Sequence, residues 1–187
     1  MVLIAANGDG QRWNGPEPKV LAKADGEPLV CRTQRLCRER DIEPVVLSHR
    51  PDVLAATAGT EVPGTDCVCA TLLLAPWEGR GVVLLGDVWY ATATLAAALY
   101  YRGACVQAWG THQEVFAVAW DEALSGRVRQ AMAGAVPAGG KLWHALRHLD
   151  GLPLRSHHVL PSMLTLVADG TRDFDHWADL VEWRRGR

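Results

Sequence analysis

Short runs of Val, Ile and Leu alternate along the chain with segments in which apolar residues recur every three or four positions. This pattern predicts an α/β sheet with helices on its faces. Met1–Ala6 reads as the first strand. Leu29, Thr33, Leu36 and Cys37 fall on one stripe of a helix running from about Pro28 to Arg40, with Pro28 suited to its first turn. Pro44–Ser48 is a second strand and Pro51–Ala58 a short helix. Gly81–Leu85 (GVVLL) is the clearest buried strand, followed directly by Gly86, Asp87 and an Ala- and Leu-rich helix reaching Tyr101. Ala104–Trp109 and Val115–Trp120, separated by GTHQE, form an antiparallel pair. Asp121–Ala133 and Lys141–Leu149 are helical, with PAGG as the break. A last strand, Met163–Val167, leads through ADGTRDFD into a terminal helix, His176–Arg184.

Length and composition narrow the class. At 187 residues, one domain spanning 1–187 is expected, and 49% hydrophobic with 21% charged residues is an ordinary globular composition. The longest apolar stretches, such as Ala91–Ala98, are too short to span a bilayer, and no basic region precedes the first apolar run. A cytoplasmic protein without a membrane segment is therefore expected. Five cysteines, odd in number and without a CxxC pair, exclude a zinc ribbon and read as reduced thiols. A net charge of −2 gives no reason to expect nucleic acid, and Arg184, Arg185 and Arg187 read as a solvated helix end. The eight tryptophans permit a homo-oligomer interface without demanding one; Trp13 and Trp89 each sit beside a candidate site loop.

The chemistry centres on IAANGDGQRW, a strand that runs into a glycine loop. The pattern GxxxxGK[ST] is absent, which removes the P-loop. The dinucleotide fingerprint GxGxxG starts with Gly8 and Gly10 but meets Trp13 at its third glycine, and Pro16 and Pro18 follow where its helix must already run. What remains is an extended loop carrying Arg12, with Lys19 behind two prolines; such a loop can hold a triphosphate with backbone N–H groups and two cations. On these residues alone, a plain turn with Arg12 and Lys19 in solvent is the simpler account.

Read further, AANGDGQRW…PKVLAKADGEPLV resembles the signature of the nucleotidyltransferase superfamily with the GT-A-like fold, which takes in MobA-like and sugar-phosphate nucleotidyltransferases. Gly8, Gly10, Arg12, Pro18, Lys19, Gly26, Pro28 and Leu29 stand where that pattern wants them. VVLLGDV resembles the family strand that ends in a metal-binding aspartate, and DFDHWADLVEW its late acidic segment. The stretch Cys105–Leu160 matches only in outline. Asn7 replaces a small apolar residue, and His176–Trp177 replace Thr-Pro. The resemblance implies a three-layer α/β/α sandwich with a mixed, mostly parallel central sheet, Rossmann-related in its layout. It also implies nucleotide contacts from Ala5, Ala6, Asn7, Gly8, Asp9, Gly10, Arg12 and Lys19, with Mg²⁺ on Asp87 and Asp175, or on Asp173 as the alternative to Asp175.

The implied reaction is Mg²⁺-dependent transfer of a nucleoside monophosphate unit to a small phosphorylated acceptor: a sugar 1-phosphate, a phosphoalcohol or a pterin cofactor. Arg12, Lys19 and Asp87 are its expected catalytic residues. A GT-A glycosyltransferase and an inactive nucleotide-binding regulator are the alternatives. Asp87 and Asp175 can each also be read as helix caps. His144 and His148 have i, i+4 spacing, but Ala145 stands where HExxH needs Glu. His157 and His158 could touch an anionic acceptor, or be plain loop residues. Lys141, after Gly139–Gly140, is a weak candidate for an acceptor phosphate, with a solvated helix position the favoured account.

Overall fold

A computed structural model describes residues 1–8, 12–65, 67–75, 78–154 and 159–186. Asp9 and Gly10 of the glycine loop, and Trp77, His157, His158 and Arg187, lie outside these described residues.

The predicted elements form close to where the apolar pattern puts them. In chain order they are β1 (Val2–Ala5), β2 (Lys23–Ala24), β3 (Glu27–Pro28), α1 (Leu29–Arg38), β4 (Val45–Ser48), α2 (Pro51–Thr57), β5 (Thr60–Glu61), α3 (Val68–Leu74), β6 (Gly81–Leu85), β7 (Val88–Trp89) and α4 (Thr92–Leu99). These are followed by β8 (Gln107–Gly110), β9 (Val115–Trp120), α5 (Ser125–Ala135), α6 (Leu142–Leu149), β10 (Leu164–Leu166), β11 (Arg172–Asp173) and α7 (Trp177–Arg185). Seven strands make one sheet in the order β10-β8-β9-β6-β1-β4-β5. Only β9 runs against the others in it, paired antiparallel to both β6 and β8.

Alternation along β1 decides the layers. Leu3 and Ala5 pack with α3, α5 and α6 on one face, while Val2, Ile4 and Ala6 pack with α1, α2 and α4 on the other. With helices on both faces, β1 and β6 need apolar residues at every position, so VLIA and GVVLL read as unbroken apolar runs. The sandwich has the three layers and mixed, mostly parallel sheet that the resemblance implies. No helix among the described residues is long and apolar enough to cross a membrane.

Several features depart from the sequence reading. Asp87 is not followed at once by a helix: β7 intervenes and pairs with β11, so Asp87 occupies a tight turn and caps nothing. The N-cap of α7 is His176 and not Asp175. Asp25 and Gly26, both at positive φ (56° and 83°), close the β2–β3 hairpin, the conformation for which Asp-Gly is suited. Arg184 is no solvated helix end; its guanidinium stacks on Trp177 at 4.9 Å and donates to Lys23 O at 2.8 Å.

The segment between β10 and β11 is fastened to α4. Asp169 accepts hydrogen bonds from Thr94 N at 2.8 Å and Thr171 N at 3.1 Å, and Thr171 Oγ1 accepts from Ala91 N at 2.9 Å. α4 thus borrows its cap from 75 residues away, and the loan fixes where β11 lies. Burial raises the Asp169 pKa, but the bonds from Thr171 and Thr94 outweigh it and leave the carboxyl below its ordinary 3.8. Asp169→Ala is expected to lower stability by about 1 kcal/mol near neutral pH. Because the folded pKa is depressed, that contribution is present above 3.8 and lost as pH falls through the folded value, so the denaturation midpoints of the two proteins should converge in acid.

Candidate functional site

The cleft opens at the carboxyl ends of β1 and β6, the edge at which open α/β sheets take their ligands. Its volume is about 530 Å³, and its lining includes Ala5, Asn7, Gly8, Arg12, Trp13, Lys19, Thr65, Thr71, Asp87, Glu114, Lys141, Trp143, Asp173 and Asp175.

Two ion-pair groups organise its charge. Pro18 begins a short 3₁₀ turn, Lys19–Leu21, which turns the Lys19 side chain inward until only 9% of it is exposed. Its ammonium lies 3.1 Å from Asp87 Oδ2 and also contacts Asp173 Oδ1. Burial opposes the charge on Lys19, and the two carboxylates more than offset it, so its pKa is raised. Asp173 is pushed well above the ordinary carboxylate range by burial and by Asp87, with Lys19 pulling the other way. In the second group Arg12 contacts Asp175 at 3.0 Å and Glu114 at 3.5 Å, nearer the surface.

The fold supplies these carboxylates from three places. Asp87 follows β6, whose end is pinned by the buried Tyr90: its hydroxyl donates to Phe116 O at 2.5 Å and accepts from Leu85 N at 2.9 Å. Gly86 permits the close approach to β1, since a Cβ there would lie 3.0 Å from Ala5 O, the carbonyl that Gly86 N–H meets at 2.8 Å. Asp173 belongs to β11 and stands opposite Val88 of β7. Glu114 closes the β8–β9 turn, where Thr111 N donates to Glu114 O at 2.8 Å.

Among the described residues, one group of side chains is close enough to share a metal ion: Glu114, Asp173 and Asp175, with one oxygen from each within 4.8 Å of the others. His144 and His148 belong to no such group. The donors are all hard oxygens, and four carboxylates face two ion-paired cations. Both facts fit a divalent cation such as Mg²⁺.

Of the other residues singled out in the sequence, Ala5 and Gly8 line the cleft. Ala6 does not; its N–H donates to Leu47 O at 2.9 Å and its carbonyl accepts from Ser48 Oγ at 2.9 Å. Asn7 is buried, and its side chain is committed to the fold. It donates to Thr71 Oγ1 at 3.0 Å and Thr65 Oγ1 at 3.3 Å, and it accepts from His49 N at 2.7 Å. Asn7 thus ties the end of β1 to β4 and to the start of α3. Trp13 lines the cleft, whereas Trp89 is buried against Trp183 at 5.4 Å and donates to Asp25 Oδ2 at 3.2 Å. Lys141 stands in the cleft and makes no ion pair among the described residues. Sequence reasoning missed Glu114, because an acid in a hairpin turn is unremarkable until the turn is placed.

No protein-family model matches the chain, and no curated protein matches it. Solved structures match its fold along nearly its whole length. An inositol-1-phosphate CTP transferase from T. maritima superimposes with a TM-score of 0.65 at 14% identity, over 95% of this chain and 90% of that one. A CTP:phosphocholine cytidylyltransferase from Streptococcus pneumoniae gives 0.63 at 12%, covering 98% and 97%. A Bacillus anthracis chain assigned as a glucose-1-phosphate thymidylyltransferase gives 0.69 at 12%, covering 98% and 93%. The chain has the fold of these nucleotidyltransferases.

Replacing Asn7 by Ala removes the acceptor of the His49 N–H and the amide donor to Thr65 and Thr71, whose hydroxyls keep their bonds to each other and to Cys67 O. The expected loss is about 1–3 kcal/mol of unfolding free energy, read from urea denaturation.

Proposed function

We propose that this chain is a nucleotidyltransferase that moves a nucleoside monophosphate unit from a nucleoside triphosphate to a small phosphorylated acceptor in a Mg²⁺-dependent reaction. The observation that carries this reading is the meeting of Arg12 and Lys19 with Asp87, Asp173, Asp175 and Glu114 in one cleft at the carboxyl edge of β1 and β6. Further support is the likeness of fold to transferases whose names specify CTP with inositol 1-phosphate or with phosphocholine.

In this reaction an oxygen of the acceptor phosphate attacks the α-phosphorus. The new P–O bond forms as the bond to the β-phosphate oxygen breaks, and pyrophosphate leaves in line carrying the negative charge. The chain's task is positioning and charge stabilisation. Lys19, buried and held protonated by Asp87 and Asp173, presents a positive charge to the phosphates. Arg12, more exposed, offers the forked donor that suits a phosphate. Gly8, which lines the cleft, can add its one backbone N–H as a neutral donor, and Trp13 walls the site. Asp173, Asp175 and Glu114 are the group near enough together to hold Mg²⁺, and Asp87, a ligand on the sequence reading, stands outside that group on the other contact of Lys19. When bound, Mg²⁺ supplies Lewis acidity and a template for the phosphates. Lys141 is assigned to the acceptor phosphate, since it is the cleft lysine left without an acidic partner among the described residues.

The test is pyrophosphate release from each of the four common nucleoside triphosphates, with Mg²⁺ or with chelator, against sugar 1-phosphates, phosphocholine and a pterin acceptor. Release with one base and one acceptor is expected, and chelator should abolish it. Turnover of a nucleotide sugar without pyrophosphate would replace this reading with a glycosyltransferase; triphosphate binding without turnover would replace it with a regulator. Asp87→Asn should lower kcat/KM by about 10²–10³-fold with circular dichroism unchanged. Lys141→Ala should raise KM for the acceptor about tenfold and leave triphosphate affinity unaltered.

A further inference from the structure

Three consecutive residues after β11 touch the same two residues of the phosphate loop. Asp175 pairs with the Arg12 guanidinium at 3.0 Å. The Nδ1–H of His176 donates to Arg12 O at 3.0 Å, and Trp177 meets the Trp13 ring edge-on, with centroids 5.5 Å apart. A carbonyl can only accept, so in this contact Nδ1 is the donor and is not the atom that accepts the capping bond from Asp179 N–H. The far ends are anchored independently. Trp13 Nε1 donates to Glu17 O at 2.7 Å, and His176 N–H donates to Asp179 Oδ2 at 2.9 Å. Behind them Trp13, Leu29, Phe174 and Leu180 share a small apolar cluster against which Trp177 packs.

We infer that residues 175–177 form a latch on the phosphate loop and that His176 is its positioning residue, holding the Arg12 backbone while the guanidinium is left to a charged partner. The inference rests on the nucleotidyltransferase reading for its functional consequence. The division of labour follows from the contacts. If Asp175 alone held Arg12, any phosphate that drew the guanidinium away would also release the loop. With His176 on the carbonyl and Trp177 on the neighbouring ring, the guanidinium can exchange Asp175 and Glu114 for phosphate oxygens while the loop stays where Lys19 and Asp87 need it. His176 and Trp177 stand where the resembled family pattern has Thr-Pro, so this latch is a property of this chain's own late segment.

Because His176 also begins α7, loss of helix capping must be separated from loss of the loop contact. Ser caps a helix well but ends one bond short of the Nδ1 position, whereas the Asn amide nitrogen occupies it and donates. Full-length wild type, His176→Ser and His176→Asn are compared by hydrogen–deuterium exchange over residues 12–20 and by calorimetric titration with each nucleoside triphosphate plus Mg²⁺. His176→Ser is expected to exchange faster at Arg12–Gly15 and to bind triphosphate more weakly, each by about three- to tenfold, with an unchanged melting temperature. His176→Asn is expected to match wild type in both. Unchanged exchange in His176→Ser overturns the latch, and so does an Asn variant as fast as the Ser variant. A wild type that binds no triphosphate overturns the proposed function instead, and the exchange result then judges the latch alone.

Discussion

The buried ammonium of Lys19 between Asp87 and Asp173 is the constraint around which the cleft is arranged. Taking a charge out of water costs several kcal/mol, and attraction to an opposite charge offsets that only when the geometry is held. The holding is distributed. Lys19 comes from the 3₁₀ turn after the loop, Asp87 from the turn after β6, and Asp173 from β11, which is fixed by pairing with β7 and by the Asp169–Thr94 cap. An apolar triad of equal volume would stabilise the fold at least as well. What the ionic one adds is a buried positive charge in an acidic surround.

The same reasoning explains why the carboxylates outnumber their partners. Asp87 and Asp173 share one ammonium, and the proximity of two like charges, together with burial, raises the Asp173 pKa far above that of a solvated acid. Asp175 and Glu114 share one guanidinium in a more exposed setting, where screening weakens the attraction. The cleft is thus graded from the buried Lys19–Asp173 contact, with Asp87 and Glu114 partly exposed, to the open Arg12–Asp175 pair. Its two cations differ in the same way, Lys19 being 9% exposed and Arg12 59%.

How much of this was legible in the chain depends on whether the signal was local. GVVLL announces β6 because a strand covered on both faces must be apolar throughout, and the Pro-Lys pair at 18–19 stands where a 3₁₀ turn brings Lys19 into the cleft. Asp-Gly at 25–26 carried a hairpin signal that the Gly-x-Pro-Leu reading passed over. The elements that escaped are those whose stability is not their own. β7 and β11 are two residues each and exist because they pair with each other across more than 80 residues of chain. α3 lacks a side-chain cap of its own and leans instead on the Asn7–Thr65–Thr71 network. The structural role of Asn7 was not legible, because its place in the loop was visible and its partners at His49 and Thr71 were not. Glu114 was hidden for the same reason: only the register of β8 with β9 carries that turn to Arg12.

The tryptophans bring these threads together. A sheet sandwich of this size has two cores, one on each face, and neither reaches the phosphate loop. The chain makes a third from Trp13, Trp89, Phe174 and Leu180, with Trp177 and Trp183 packed at its edge. Edge-to-face contacts at 5.4–5.5 Å join the loop after β1, the β7 turn and α7 into one body. Arg184, stacked on Trp177 and bonded to Lys23 O, ties the β2–β3 hairpin to the same helix. The glycine loop has little apolar content of its own with which to hold a shape, and aromatic rings lose little conformational freedom when they order. Arg12 and Trp13 are therefore held from the C-terminal helix, by His176 and Trp177, which lie 164 residues further along the chain.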